Sequence, residues 1–95
     1  MARGRRLEET WPVWWEWELV LTPHLLKRMV DRSFSEVELR EMVEHASEVR
    51  ADIVPGRWRI STRHRQKPWE IIVEPDDAAR LLVVVTAYPV ARSVR

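Results

Sequence analysis

The spacing of apolar and polar positions changes several times along the 95 residues, and each change predicts a new element. From Trp14 to Leu21 apolar and polar residues alternate, which is typical of a strand. Apolar residues then recur at helical spacing over 23–31 and again over 35–46. Strand-like patterns return in three later stretches, at 57–64, 69–74 and 81–88. The sequence therefore predicts the order strand, helix, helix, strand, strand, strand.

Both predicted helices have recognisable start signals. Thr22 precedes Pro23, so a side chain that accepts a hydrogen bond stands before a residue with a preset helical φ. Ser35 and Glu38 have the spacing of a capping box, in which each side chain bonds the backbone N–H of the other residue. The connection between the two helices is short, at Ser33 and Phe34, which predicts a helix hairpin.

The predicted fold class is α+β, with a helix hairpin packed on a four-stranded, mostly antiparallel sheet. The stretch 81–88 is largely apolar on both faces, as expected of a strand inside a sheet. The last three strands form an antiparallel meander, and the first strand joins through a longer connection. One domain is predicted over residues 14–89, between a charged, mobile N-terminal arm at 1–13 and a C-terminal tail at 90–95.

Composition narrows the possible compartments and partners. Sixteen Lys and Arg residues oppose 15 Asp and Glu residues, so the net charge of +1 steers polyanions only weakly, and nucleic-acid binding must rest on local clustering. Cysteine is absent, which excludes disulfides and thiolate metal sites and favours the cytoplasm. Acidic residues stand where an export signal needs an apolar segment, so neither an export signal nor a membrane span is predicted.

The chain is rich in tryptophan, with six residues in all, and four of them fall close together at Trp11, Trp14, Trp15 and Trp17. The alternation of the first strand predicts that Trp15 and Trp17 point into the core. It also predicts that Trp14 is exposed or is covered only by another chain. The first strand is therefore a candidate homodimer surface.

The sequence excludes common nucleotide-binding motifs and shows no pattern typical of a metal site. The chain has only two glycines and no glycine-rich phosphate loop, which excludes the common nucleotide-binding motifs. His24, His45 and His64 stand far apart and form no recognisable metal-binding pair, so neither a metal nor a cofactor is predicted.

A basic constellation remains as the candidate chemistry, spread over the first helix, the second strand and the following loop. Its members are His24, Arg28, Arg32, Arg57, Arg59, Arg63, His64, Arg65 and Lys67. Such a set suits RNA cleavage, because His transfers protons near neutral pH and Arg binds phosphate with two parallel hydrogen bonds. The same residues also fit a solvated strand face paired with acids. Thr86 and Tyr88 could likewise orient a phosphate or only complete the sheet edge.

The order of short motifs carries a family resemblance over roughly residues 18–89. The motifs are Thr22-Pro23-His24, Arg28-Met29, Asp31-Arg32, Glu36-Val37, Gly56-Arg57-Trp58 and Val85-Thr86-Ala87-Tyr88. The chain resembles a family of small bacterial domains of unknown function that carry H-x-x-x-R-M-x-x-R, a later G-R and a closing V-T-x-Y. That family in turn is similar to a branch of the RelE/ParE/BrnT toxin superfamily.

The resemblance implies a RelE-like, metal-independent endoribonuclease toxin that acts on RNA or the ribosome, leaves 2′,3′-cyclic phosphate and is neutralised by an antitoxin protein. Matching positions imply a catalytic set of His24, Arg28, Arg57, Thr86 and Tyr88. The basic constellation adds RNA-binding candidates at Arg32, Arg59, Arg63, His64 and Lys67. The alternatives are a non-catalytic module that binds nucleic acid or protein on the same fold, and an interaction domain that uses the tryptophan strand.

Overall fold

The computed structural model describes residues 11–90, so most of the predicted N-terminal arm and of the C-terminal tail lies outside the described residues. A 3₁₀ helix precedes the first strand, and two α-helices follow it. The elements in chain order are the 3₁₀ helix Val13–Glu16, β1 Glu18–Leu21, α1 Pro23–Asp31, α2 Glu36–Glu44, β2 Glu48–Ala51, β3 Trp58–His64, β4 Lys67–Asp76 and β5 Leu81–Pro89.

The sheet has five strands in the order β1-β5-β4-β3-β2. β1 pairs with β5 in parallel, and the other three pairings are antiparallel. The α+β class and the mostly antiparallel sheet are thus confirmed, whereas the predicted count of four strands is wrong. The additional strand, β2, is a four-residue edge strand whose residues are mostly exposed. The sequence pattern does change to period two beyond Glu48, but four residues are too few to predict a separate strand.

The two helices pack on one face of the sheet and begin as predicted. The side chain of Thr22 caps α1, and Pro23 is its first residue. At α2 the Ser35 hydroxyl accepts a hydrogen bond from the Glu38 amide (3.1 Å), and the Ser35 amide donates to the Glu38 carboxylate (2.9 Å). This hydrogen bond from the backbone of Ser35 lowers the pKa of Glu38. The predicted capping box is therefore present.

The core lies between the helices and one face of the sheet. The sheet contributes fully buried apolar side chains at alternate positions, Ile60, Ile71, Val73, Leu82 and Val84, and the helices contribute Leu25, Leu39 and Val43. The opposite face of the sheet, here called the open face, has no helix packed on it among the described residues. The register places on it Arg50, Arg59, Glu70, Ile72, Glu74, Val83, Thr86 and Tyr88.

The tryptophan-rich segment differs from the prediction. Backbone hydrogen bonds from Trp15 to Pro12 and from Trp17 to Trp14, each 3.0 Å, form a 3₁₀ turn where a strand was predicted. Successive residues of such a turn point about 120° apart, so neighbouring rings can both face inward. Trp14 and Trp15 are indeed both buried, at 6% and 5% exposure.

Burial of Trp14 corrects the expectation that this ring is exposed. Its ring lies 5.8 Å from that of Trp58 and 6.2 Å from that of Trp15, centroid to centroid. Trp15 is in the core as predicted, and Trp17 packs against the core while remaining partly exposed. The exposed ring that motivated the homodimer prediction is thus inside the protein.

The helices of residues 11–90 are too short and too polar for any of them to cross a membrane.

Trp14→Ala should destabilise the fold, because it removes a large ring from a packed aromatic cluster. We expect the free energy of unfolding to fall by about 3 to 5 kcal/mol in a urea titration. Val13→Ala is the matched control, since Val13 is the preceding residue and is 81% exposed. Similar urea midpoints for the two variants would contradict the burial of Trp14; if Trp14→Ala fails to fold, Trp14→Phe provides the comparison.

Candidate functional site

A cavity of about 520 Å³ opens where the start of α1 meets the open face of the sheet. Here it is called the His24 cavity. His24 comes from the first turn of α1, and Arg57 from the residue before β3. The other lining residues are Thr22, Glu74, Pro75, Asp76, Asp77, Val83 and Val85. The fold thus brings together two residues of the predicted catalytic set that are 33 positions apart in the sequence.

Thr22 positions the start of α1 against β5. Its hydroxyl accepts a hydrogen bond from the Leu25 amide (3.1 Å) and donates to the Val84 carbonyl (3.0 Å). At this point β5 contains a bulge, because Ile72 pairs with Thr86 whereas the next residue of β4 pairs with Val84. One side chain therefore caps the helix and ties it to the bulged strand, which holds His24 beside the cavity.

The His24 side chain is accessible. Residue 24 is exposed, and no hydrogen bond to its imidazole is present within residues 11–90. His24 therefore does not donate to a backbone carbonyl in this part of the chain. An exposed imidazole that lines a cavity can exchange protons with a bound molecule.

The electrostatics of the His24 cavity are mixed. The Arg57 guanidinium donates to Glu74, with 3.0 Å between Nε and Oε1. Asp76 and Asp77 add two further carboxylates, so one arginine faces three acids. The side chains of Arg57 and Glu74 are 36% and 51% exposed, and such solvated pairs contribute little to stability. Arg57 can therefore exchange Glu74 for another anion.

A second group of polar side chains lies on the open face and is here called the Glu70 cluster. Its members come from β2, β3, β4 and β5 and from the residue after β2, and they are Arg50, Asp52, Arg59, Glu70 and Tyr88. Glu70 accepts hydrogen bonds from the Tyr88 hydroxyl (2.8 Å), Arg50 (3.2 Å) and Arg59 (3.4 Å). Asp52 accepts a 2.7 Å hydrogen bond from Nε of Arg59. This bond lowers the pKa of Asp52 and raises that of Arg59.

The His24 cavity and the Glu70 cluster lie along the same strand. Glu70, Ile72 and Glu74 alternate along β4 on the open face, so four residues, or about 13 Å, separate the two carboxylates. Thr86 pairs with Ile72 between them. The predicted residues Arg57, Arg59, Thr86 and Tyr88 thus share the open face.

One protein family matches most of the described chain. The model of a domain of unknown function, DUF4258, matches residues 21–89, which include both helices and β2 to β5. The chain belongs to the DUF4258 family. Searches of curated proteins and of solved structures found no match.

Two arginines, one in α1 and one directly after it, lie outside the lining of the His24 cavity. Arg28 of this DUF4258 domain forms an ion pair with Asp31 (2.8 Å), one turn beyond His24. Arg32 donates to the backbone carbonyl of Ala87 (3.2 Å) at the end of β5. The second contact fastens the end of the helix to the sheet.

The remaining predicted RNA-binding residues of this domain are near the β3–β4 hairpin. Arg63 donates to the backbone carbonyl of Gln66 (2.7 Å), and Lys67 is exposed at the start of β4. His64 lies on the helix-covered side, where its ring packs edge-on against Trp69 (5.2 Å) and Phe34 (6.3 Å). His64 and the open-face residues therefore belong to opposite sides of the sheet.

Acidic partners of the arginines were missed by the sequence analysis of this domain. Glu70 lies opposite Ser61 of β3 and diagonal to Arg59, which pairs with Ile72, so diagonal cross-strand pairing of opposite charges was the available signal. Glu74 pairs with Arg57, the residue before β3. Asp52 carried no such signal, because β2 itself was not predicted. Within residues 11–90, no group of three or more His, Asp or Glu side chains is arranged to hold a metal ion.

Thr22→Val should weaken the junction between α1 and β5, because valine keeps the shape of threonine but can neither accept nor donate the two hydrogen bonds. We expect a loss of about 1 to 2 kcal/mol in the free energy of unfolding, measured in urea. We also expect the NMR resonances of the His24 ring to shift. Thr22→Ser is the control that keeps the hydroxyl, and identical behaviour of the two variants would contradict this role.

Tyr88 should titrate above the ordinary tyrosine pKa. Burial disfavours its phenolate and Glu70 accepts a hydrogen bond from its hydroxyl, and both effects raise the pKa. Tyr88 is the chain's single tyrosine, so phenolate absorbance reports on it alone. The protonated Tyr88 hydroxyl contributes to the stability of the fold. Because the pKa of Tyr88 is higher in the folded than in the unfolded chain, this contribution is present below the unfolded pKa and is lost as pH rises through the folded pKa.

The urea-unfolded chain is the control for this titration, and its tyrosine should titrate at the lower, ordinary pKa. Glu70→Gln should move the folded midpoint only part of the way down, since burial of the ring remains. Equal midpoints for the folded and unfolded chains would refute the contact between Tyr88 and Glu70.

Proposed function

We propose that this DUF4258 domain is a metal-independent endoribonuclease of the toxin type, with a RelE-like arrangement of its helices and sheet. The observation that supports it is that the exposed His24 and the Arg57 guanidinium both line one cavity at the open face. A proton-transfer group next to a phosphate-binding cation is the minimum set for cleaving RNA without a metal.

In this proposal His24 removes the proton from a ribose 2′-hydroxyl, and the resulting oxygen attacks the adjacent phosphorus. The bond to the 5′-oxygen breaks, and that oxygen takes up a proton from the imidazolium or from water. The products are a 2′,3′-cyclic phosphate and a 5′-hydroxyl. Arg57 leaves Glu74 and donates to the phosphoryl oxygens, where negative charge develops.

The other residues of the predicted catalytic set act on the neighbouring nucleotides in this proposal. Thr86 and Tyr88 lie further along the open face and position the RNA strand, and Arg28 contacts a phosphate from α1. RNA, free or on the ribosome, is the proposed substrate, and a cytoplasmic antitoxin protein is the proposed partner.

A second candidate function is a non-catalytic binding module, and the charge of the His24 cavity favours it. Glu74, Asp76 and Asp77 outnumber Arg57 on the cavity wall. Such a wall attracts a basic peptide segment more than a polyanion. The two candidates differ in what they bind and in whether RNA is cleaved.

His24→Ala should separate the two functions. Removing a general acid or base commonly lowers the rate by about 10²- to 10⁴-fold, so cleavage should nearly disappear while RNA affinity changes little. His45→Ala is the matched control, because His45 is exposed at the end of α2, where Nδ1 contacts the Glu41 carbonyl (2.8 Å). Product ends are assayed for 2′,3′-cyclic phosphate, with and without ribosomes and in EDTA.

Arg57→Ala should behave differently from His24→Ala. It removes a phosphate contact, so both the rate and the affinity should fall, and the salt dependence of binding should become shallower by about one counterion. If wild-type protein never produces cyclic phosphate but binds basic peptides, the nuclease proposal is wrong and the binding module replaces it.

A further inference from the structure

Three hydrogen-bond donors from three different strands converge on the Glu70 carboxylate. Tyr88 of β5 and Arg59 of β3 both reach Oε1, at 2.8 Å and 3.4 Å, and Arg50 of β2 reaches Oε2 at 3.2 Å. The Glu70 side chain is only 12% exposed, whereas those of Arg59 and Arg50 are 30% and 47% exposed. The donors thus surround an internal anion and remain accessible from the solvent.

Two guanidinium groups and a hydroxyl are also the donors that bind a phosphate group. Arg59 is held independently of Glu70, because its Nε donates to Asp52 (2.7 Å) while NH1 faces Glu70. Asp52 therefore keeps the guanidinium in place when Glu70 leaves. Glu70 can leave by changing its side-chain rotamer, since the backbone of β4 stays paired on both sides.

We propose that Arg50, Arg59 and Tyr88 form a second phosphate-binding site, which the Glu70 carboxylate fills in the free protein and an RNA phosphodiester takes over. The site lies about 13 Å along β4 from the His24 cavity, which corresponds to about two nucleotides of an extended strand. This inference rests on the proposed function, because it assigns the site to RNA that also enters the His24 cavity. It adds Arg50 and Glu70, which neither the motifs nor the basic constellation contained.

Glu70→Gln provides the test, because glutamine keeps the side-chain shape and removes the charge that competes with phosphate. The probe is a short single-stranded oligoribonucleotide with 2′-O-methyl groups, which blocks cleavage so that affinity alone is measured, by fluorescence anisotropy. We expect roughly 3- to 10-fold tighter binding at low salt, as exposed charge contacts commonly contribute on this scale. The salt dependence should also become steeper by about one counterion.

Glu36→Gln is the matched control. Glu36 pairs with Arg40 on α2 (2.6 Å), so this variant removes the same charge from an ion pair in the helix layer. Its affinity for the probe should stay within about twofold of the wild type, since screening weakens distant charge effects. Unchanged or weaker binding by Glu70→Gln, or an equal gain in both variants, would overturn the proposal.

Arg50→Ala tests the site if Glu70→Gln does not fold, because the Arg50 side chain is 47% exposed and lies on an edge strand. It should weaken probe binding several-fold, while Arg40→Ala should not. Equal affinities for these two variants would reject the site. Cleavage of unmodified RNA is measured separately: its absence, together with the expected affinities, rejects the nuclease proposal and leaves the phosphate site standing.

Discussion

The parallel pairing of β1 with β5 is the constraint on which the rest of the structure depends. It places the end of β1 beside Val84, where the Thr22 hydroxyl bonds the strand and caps α1 at once. The chain must then turn onto one face of the sheet, and both helices pack there. Because helices cover only that face among the described residues, the other face is left for polar chemistry.

The open face is polar but nearly neutral, and this decides what it can bind. Its arginines are paired with carboxylates, Arg57 with Glu74 and Arg59 with Asp52 and Glu70. The exposed pairs are solvated and exchangeable, so a phosphate must compete with an internal anion at each position. Any binding of RNA should therefore depend strongly on salt and on how easily those carboxylates move away.

Local sequence signals determined the helices and most strand positions. The start of α1 follows from Thr22 and Pro23, and the start of α2 follows from its capping box, because caps satisfy backbone groups within a few residues. The alternation over 57–64 puts Arg59 and Ile60 on opposite faces of β3, as the register shows, since a strand has a period of two. The prediction that the first strand begins at Trp14 was wrong, because residues 13–16 form a 3₁₀ turn that brings two neighbouring rings inside.

The sequence identified the chemical groups of the candidate site but not which side chains lie next to one another. Residue types and spacing identified His24, Arg57, Thr86 and Tyr88 as candidates, since imidazole, guanidinium and hydroxyl groups have chemical properties that do not depend on the fold. The alternation over 57–64 also separates His64 from the face of Arg57 and Arg59. Only the tertiary structure placed His24 and Arg57 in one cavity. It also showed that Glu70 gathers Arg50, Arg59 and Tyr88, because the order of the strands, and not their separation along the chain, sets which side chains meet.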